Sequence, residues 1–255
     1  MPPHLTAPLL NKIPYIKHGF FTRQGGKSSG PYATLNTGFE KGDGDDAVFE
    51  KRRRICDVFG LSPKDLALVR QEHTDSVYTV TEPFPRNNTP IGDALITSAP
   101  ALLLGVQTAD CVPILLADKT RPLIAAVHSG WQGAIGGLIE NTLASLEKQG
   151  GKRENIVAAL GPCIWQDSYE VGLEFFDTFD CPQFFKAGKR PGYYQFDLPG
   201  YVTSRLKKAG VLDIDPSPAN TFSDEKRFFS YRRKTLNKEG AFGNQISVIC
   251  IRSDA

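Results

Sequence analysis

Two apolar runs, residues 112–117 and 123–127, joined by Asp118-Lys119-Thr120-Arg121-Pro122, constrain the fold more tightly than any other stretch. Apolar runs of this length bounded by turn residues read as buried strands, and so short a polar connection makes them a hairpin. Cys111 stands at the mouth of the first run and His128 at the end of the second. In an antiparallel pair the start of one strand lies beside the end of the next, so a thiol and an imidazole are expected to meet there. Ser129-Gly130 then leads into one amphipathic helix with Ile135, Leu138, Ile139, Leu143 and Leu146 on its buried face. The unpaired N–H groups at the start of such a helix favour an anion.

A chain of 255 residues can bury a substantial core around this hairpin, and its balance of 40% hydrophobic and 23% charged residues is that of a soluble globular protein. A formal net charge of +2 argues against a protein that coats nucleic acid. Cys56, Cys111, Cys163, Cys181 and Cys250 form no CxxC pair and are odd in number, which favours reduced thiols. The opening MPPHLTAPLLNKIPY has neither a basic start nor a sustained apolar run, and no stretch approaches the ~20 apolar residues of a membrane helix. The expectation is a cytoplasmic protein without nucleic-acid or membrane partners, as a monomer or small homo-oligomer.

Upstream, YIKHGFFTRQGGKSSGPYATLNTG passes from a short apolar piece into a Gly/Ser-rich loop. Such a loop brings backbone N–H groups close to a ligand, and Arg23 within it can grip a phosphate or carboxylate bidentately; a flexible surface loop has the same composition. A helix is predicted from Asp45-Asp46, with Val48, Ile55 and Phe59 on one side and Gly60 as its stop. Its run Lys51-Arg52-Arg53-Arg54 reads as a solvated face. Strands are expected over 66–70 and 76–81, which leaves His73 in the polar connection between them. Further on, 155–160 reads as a buried strand and 170–179 as a helix with Val171, Phe175 and Phe179 inward. Residues 180–197 read as irregular and aromatic, and Leu198, Val202 and Leu206 as one face of a helix stopped by Gly210. Strands over 227–231 and 245–251 lie around the Arg232-Arg233 pair. Strands and helices are interspersed without the alternation of a doubly wound sheet, so the expected class is α+β in one domain, 1–255.

Two of the four histidines, His73 and His128, fall with Cys111 in polar junctions between apolar strands. Two imidazoles and a thiolate with an open fourth position form a catalytic-type zinc set, which acidifies water. The same residues also fit a metal-free Cys–His nucleophile pair or separate structural roles, because no compact zinc spacing is matched.

The motifs HGFFTRQGG-x-S-x-GPYATLN, QEH, TADCVP, VHSGW, LGPCI with YEVG, and FFSYRR follow one another over residues 18–251. In this order they resemble the purine nucleoside phosphorylase family of the YfiH, YlmD and FAMIN type, formerly called multicopper polyphenol oxidases or laccases. The resemblance implies a single domain of two packed mixed β-sheets flanked by helices, in α/β/β/α layers. It implies a zinc held by His73, Cys111 and His128, with copper in the same set under the oxidase reading. Arg23 and Asn36 match residues that line the pocket, Arg23 also belongs to the implied catalytic group, and Arg232 in FFSYRR is a further substrate contact. The activity implied is phosphorolysis of purine nucleosides such as adenosine, inosine and methylthioadenosine, with deamination of adenosine. The implied partners are therefore a small-molecule nucleoside and phosphate. Phenol oxidation and a Cys–His hydrolase that edits peptidoglycan precursors are the other activities the resemblance brings, and a structural zinc module is the non-enzymatic reading. A multicopper oxidase is hard to reconcile with only four histidines.

Two departures from the pattern stand out. Many relatives read HAGWRG where this chain has His128-Ser129-Gly130-Trp131-Gln132-Gly133, so Gln132 replaces an arginine near the helix start. Many also read YRRDxxTGR where Arg232-Arg233-Lys234 leads here to Phe242-Gly243-Asn244, leaving Arg252 or Lys238 to replace the terminal arginine.

Overall fold

The computed structural model describes residues 1–39 and 42–254, whose strands form three sheets. A five-stranded sheet runs in the spatial order β1 (His4–Leu5), β2 (Ile16–Phe21), β14 (Gln245–Ile251), β6 (Leu103–Thr108) and β3 (Leu66–Ala67). A six-stranded sheet runs β13 (Asp213–Asp215), β9 (Ile156–Leu160), β7 (Val112–Asp118), β8 (Ile124–Ser129), β5 (Ala94–Thr97) and β4 (Val77–Thr79). A small sheet joins β10 (Glu170–Gly172), β12 (Tyr193–Phe196) and β11 (Phe185–Ala187). Both large sheets are mixed, because β3–β6, β4–β5 and β9–β13 are parallel pairs among antiparallel ones. The helices are α1 (Asp45–Phe59), α2 (Trp131–Gly136), α3 (Leu138–Lys148), α4 (Leu173–Phe176), α5 (Leu198–Lys208) and α6 (Tyr231–Leu236).

Side-chain alternation fixes the layers. On β7, Leu115 and Ala117 cluster with Phe20, Leu104 and Ile249 between the two large sheets, while Ile114 and Leu116 cluster with Leu138, Ile139 and Leu143 of α3. On β14, Ile249 and Ile251 join the inter-sheet core, and Ile246, Val248 and Cys250 meet Ile55, Cys56 and Phe59 of α1. The stack is α1, five-stranded sheet, six-stranded sheet, then α2, α3 and α5. These are the α/β/β/α layers that the family resemblance implies. A strand buried on both faces has no polar side to show, which is why both arms of the hairpin are continuous apolar runs.

Four local expectations are corrected. The helix after His128 is two helices, because Gly137 adopts φ 96° between α2 and α3. Residues 170–179 hold only the one-turn α4, since Glu170–Gly172 pairs instead with the aromatic strand β12. Residues 227–231 are not a strand: a turn over Asp224–Arg227 leads to Ser230, whose hydroxyl accepts from the Arg233 N–H and caps α6. The basic run of α1 is solvated only in part. Arg53 pairs with Glu50 and Asp57 at the surface, whereas Lys51 is 1% exposed and bound to Asp43 and Ser28, and Arg52 turns to the Thr37 carbonyl.

Candidate metal centre

The hairpin register sets Val112 opposite Ser129 and Pro113 opposite His128, so Cys111 lies just beyond the paired region, alongside Gly130. His73 comes from the loop between β3 and β4, which is tied down where Arg70 bridges Ile91. One ring nitrogen from each histidine and the Cys111 sulfur lie within 4.8 Å of one another. His73 is exposed, Cys111 half-buried and His128 buried, so the group forms the floor of a cavity rather than a closed core site. A Cβ at Gly130 would stand 2.4 Å from His73 Nδ1, so any larger residue there would displace that ring.

Asp93 braces both histidines. Its Oδ1 accepts from His128 Nδ1–H at 2.7 Å and from the His73 backbone N–H at 3.2 Å. Its Oδ2 accepts from the Thr74 N–H at 2.6 Å and the Thr74 hydroxyl at 2.8 Å. The bond to Nδ1 leaves His128 Nε2 as the nitrogen free to face Cys111, and the bond from the His73 N–H supports the backbone that holds His73 at φ 60°. Burial alone would push the Asp93 carboxyl up, but the bonds from His128 and Thr74 hold it below the ordinary value. Burial would likewise raise the Cys111 thiol, yet His128 beside it and hydrogen bonds from both histidines draw it down; His128 is raised in return by the thiolate and Asp93. The other cysteines behave in the opposite way. Burial pushes Cys56 and Cys163 to about 12 and Cys250 to about 11, and it raises Cys181 as well.

Asp110, next to Cys111, holds φ 109° and accepts from the Thr221 hydroxyl, the Ser230 hydroxyl and the Arg232 N–H. These bonds fasten the residue 221–233 segment to the turn that presents the thiol. Burial moves the Asp110 carboxyl up to about 6 against the pull of these donors. The cavity, of about 780 Å³, has Trp131 and Tyr169 in its walls, and Trp131 is held by Phe175 at 4.9 Å. Two buried polar atoms of its lining residues, Thr108 Oγ1 and Arg232 Nε, have no hydrogen-bond partner among the described residues.

The structure thus brings His73, Cys111, His128 and Arg232 to one cavity. It does not bring Arg23 or Asn36 there. Arg23 gives its Nε–H to the Ala33 carbonyl, lies 4.3 Å over the Phe229 ring, and lines a separate cavity of about 540 Å³. Asn36 is buried and bridges Gly38, Asp43 and the Asn244 N–H. Gln132 and Asn244 line the main cavity, whereas Arg252 pairs with Asp254 and neither it nor Lys238 contributes to the lining. Sequence reasoning missed Asp93 and Asp110, and the only signal for either was the polar interruption that each makes beside an apolar run.

The donor set is chemically suited to a metal. Two imidazoles and a depressed thiol are borderline-to-soft donors of the kind that hold zinc or copper, and Asp93 supplies the carboxylate that commonly stands behind a metal-bound histidine. The family model described as multi-copper polyphenol oxidoreductase laccase matches residues 17–252. The chain belongs to this family. Among its members, the Deinococcus radiodurans protein named purine nucleoside phosphorylase is 38% identical over 237 residues, covering 91% of this chain and 87% of that one. Bacillus licheniformis hypothetical protein YfiH superposes with a TM-score of 0.89 at 26% identity, covering 99% of this chain and 97% of that one. YlmD from Geobacillus stearothermophilus superposes at 0.87 with 28% identity, over 94% and 93% of the two chains. The family description names copper, but only two of the four histidines join the cluster, too few imidazoles for a multicopper centre.

Proposed function

We propose that the protein is a zinc-dependent purine nucleoside phosphorylase that also deaminates adenosine, with His73, Cys111 and His128 as metal ligands. The observation that carries this reading is the convergence of those three donors, braced by Asp93, on the floor of a cavity sized for a small molecule. The names borne by the family's relatives support the substrate class. No helix among the described residues is long and apolar enough to cross a membrane, and the unpaired cysteines fit a reducing, cytoplasmic setting.

Zinc, when bound, supplies Lewis acidity that lowers the pKa of water or polarises a substrate oxygen. The chain's own residues do the rest. Trp131 and Tyr169 offer aromatic faces to a purine, and Arg232, which lines the same cavity, offers its guanidinium to ribose or phosphate. In phosphorolysis a phosphate oxygen bonds to ribose C1′ as the glycosidic bond breaks, and the bonding pair leaves on the purine, which takes up a proton. Arg232 neutralises charge on the incoming phosphate in this scheme, since it lines the cavity of the three donors whereas Arg23 lines the other. In deamination, water adds at C6 of adenine and ammonia leaves.

One observation favours a second reading. Cys111 alone among the cysteines is held below its ordinary pKa, as a metal-free nucleophile paired with His128 would be. Turnover of inosine with phosphate and of adenosine without it, measured with metal content and iodoacetamide labelling before and after a chelator, separates the two. The zinc reading expects one zinc per chain, its loss in Cys111→Ala and His128→Ala, and chelation that stops turnover while making Cys111 more reactive. Turnover that survives complete metal removal and ends on labelling of Cys111 would overturn it.

A further inference from the structure

The main cavity does not stop at the metal ligands. It continues past Gln71 and Gln107 to an arm lined by Phe39, Arg52, Arg70 and Arg86. The wall between is tied together. The Gln71 side chain bonds both the carbonyl and the N–H of Gln107, the Gln107 amide donates to the Thr37 hydroxyl, and Arg52 gives both Nε–H and Nη2–H to the Thr37 carbonyl at 3.0 and 2.8 Å. The guanidiniums of Arg52 and Arg86 lie 4.2 and 4.0 Å from the centre of one ring, that of Phe39. Arg70 has Glu72 as its partner and Arg86 has Asp45. Arg52 forms no ion pair among the described residues. Its two bonds to a carbonyl fix the plane of the guanidinium without neutralising it.

A half-buried cation held flat beside a second guanidinium, with no ion-pair partner among the described residues, presents an open edge to an anion. The electrostatics agree: burial first, and then the charge of Arg86, pull Arg52 down to about 10. We propose that this arm is a subsite for a phosphate-class anion bound by Arg52 and Arg86 beside Phe39. It is filled either by inorganic phosphate or by a phosphate ester on the ribose of a nucleoside whose base lies toward the metal ligands. The second source rests on the nucleoside reading above and would extend the substrate class to nucleoside monophosphates.

The test is calorimetric titration of inorganic phosphate, adenosine and AMP into the metal-loaded wild type, Arg86→Gln, Arg52→Gln and Arg52→Lys. Arg86 is a surface residue and its variant is expected to fold; Arg52→Lys keeps a charge if loss of the Thr37 clamp unfolds Arg52→Gln. Charge-assisted contacts of this kind predict about a tenfold loss of anion affinity in Arg86→Gln, a similar or larger loss in Arg52→Gln, and partial recovery in Arg52→Lys. If the ester fills the arm, wild type binds AMP more tightly than adenosine and the variants erase that preference. If free phosphate fills it, phosphate affinity falls in the variants while AMP and adenosine bind alike. Either pattern supports the subsite. Phosphate and AMP affinities that are unchanged in folded Arg86→Gln and Arg52→Lys overturn it. Because binding is read without turnover, the subsite can survive a protein inactive on nucleosides, and it can fail in one that is active.

Discussion

A carboxylate buried beneath two imidazoles must be fully hydrogen-bonded to stay ionised, and Asp93 is: it takes donors from His128, His73 and Thr74 and is fully buried. It touches no reacting atom, so it is a positioning residue acting through His128. Asp93→Asn keeps the shape but replaces one acceptor by a donor, so it disturbs the choice of His128 tautomer more than the packing. Zinc affinity, measured by competition with a chromophoric chelator, is expected to fall about 10- to 100-fold, with a smaller effect on the thermal midpoint. An unchanged affinity in a destabilised variant would reduce Asp93 to a brace for the His73 loop. Its partners lie 20 and 35 residues away in sequence, which is why the ligands were legible from residue type and motif and their support was not.

At the scale of elements, α1 illustrates what periodicity reveals and what it hides. Its limits follow from Asp45-Asp46 at one end and Gly60, at φ 73°, at the other. Val48, Ile55 and Phe59 mark its inner face as expected. Lys51 shares that face, and only the fold supplies the reason: Asp43 and Ser28, brought over from the preceding loop, receive its ammonium. Removing one member of a buried pair leaves an uncompensated charge. Asp43→Ala is therefore expected to cost about 3 kcal/mol in urea denaturation, and the apolar pair Lys51→Met with Asp43→Leu to recover most of that loss. If the double variant is as unstable as the single one, the pair matters for the loop's conformation rather than for charge balance. The hairpin, α5, β9 and β14 were legible for the same reason as α1, because long apolar patterns outvote local ambiguity. The short aromatic segments from 170 to 196 were not. Phe175, Phe179, Phe185 and Phe196 pack together as one cluster, and pairing across β10, β11 and β12 rather than local preference decides which become strands.

The stability of the whole molecule is coupled to pH through a group remote from the candidate metal ligands. His18 lies on β2 opposite Ile249 of β14, and its Nε2 accepts the Ala7 N–H at 2.7 Å, joining the N-terminal segment to the five-stranded sheet. A proton on Nε2 would destroy that acceptor. Burial first, and then nearby His4, lower the His18 pKa from 6.5 to about 4. Folding therefore selects the neutral ring. Above pH 6.5 both folded and unfolded chains carry it neutral, and its contribution to stability is complete. As the pH falls from there toward 4, the unfolded chain takes up a proton that the folded chain refuses, so stability declines. At 1.36 kcal/mol per pKa unit the decline is at most roughly 3 kcal/mol, steepest in the middle of the interval. Metal occupancy would add its own pH dependence, so the comparison is made on chelated protein, wild type against His18→Gln. Subtracting the two urea-unfolding profiles cancels the contributions the two proteins share, that of Asp110 among them. What remains is expected to be a stability difference that favours wild type at pH 7 and shrinks steadily on acidification. Parallel profiles would mean that water or a backbone shift accommodates the His18 proton, and that the sheet, not the imidazole, holds the N-terminal segment in place.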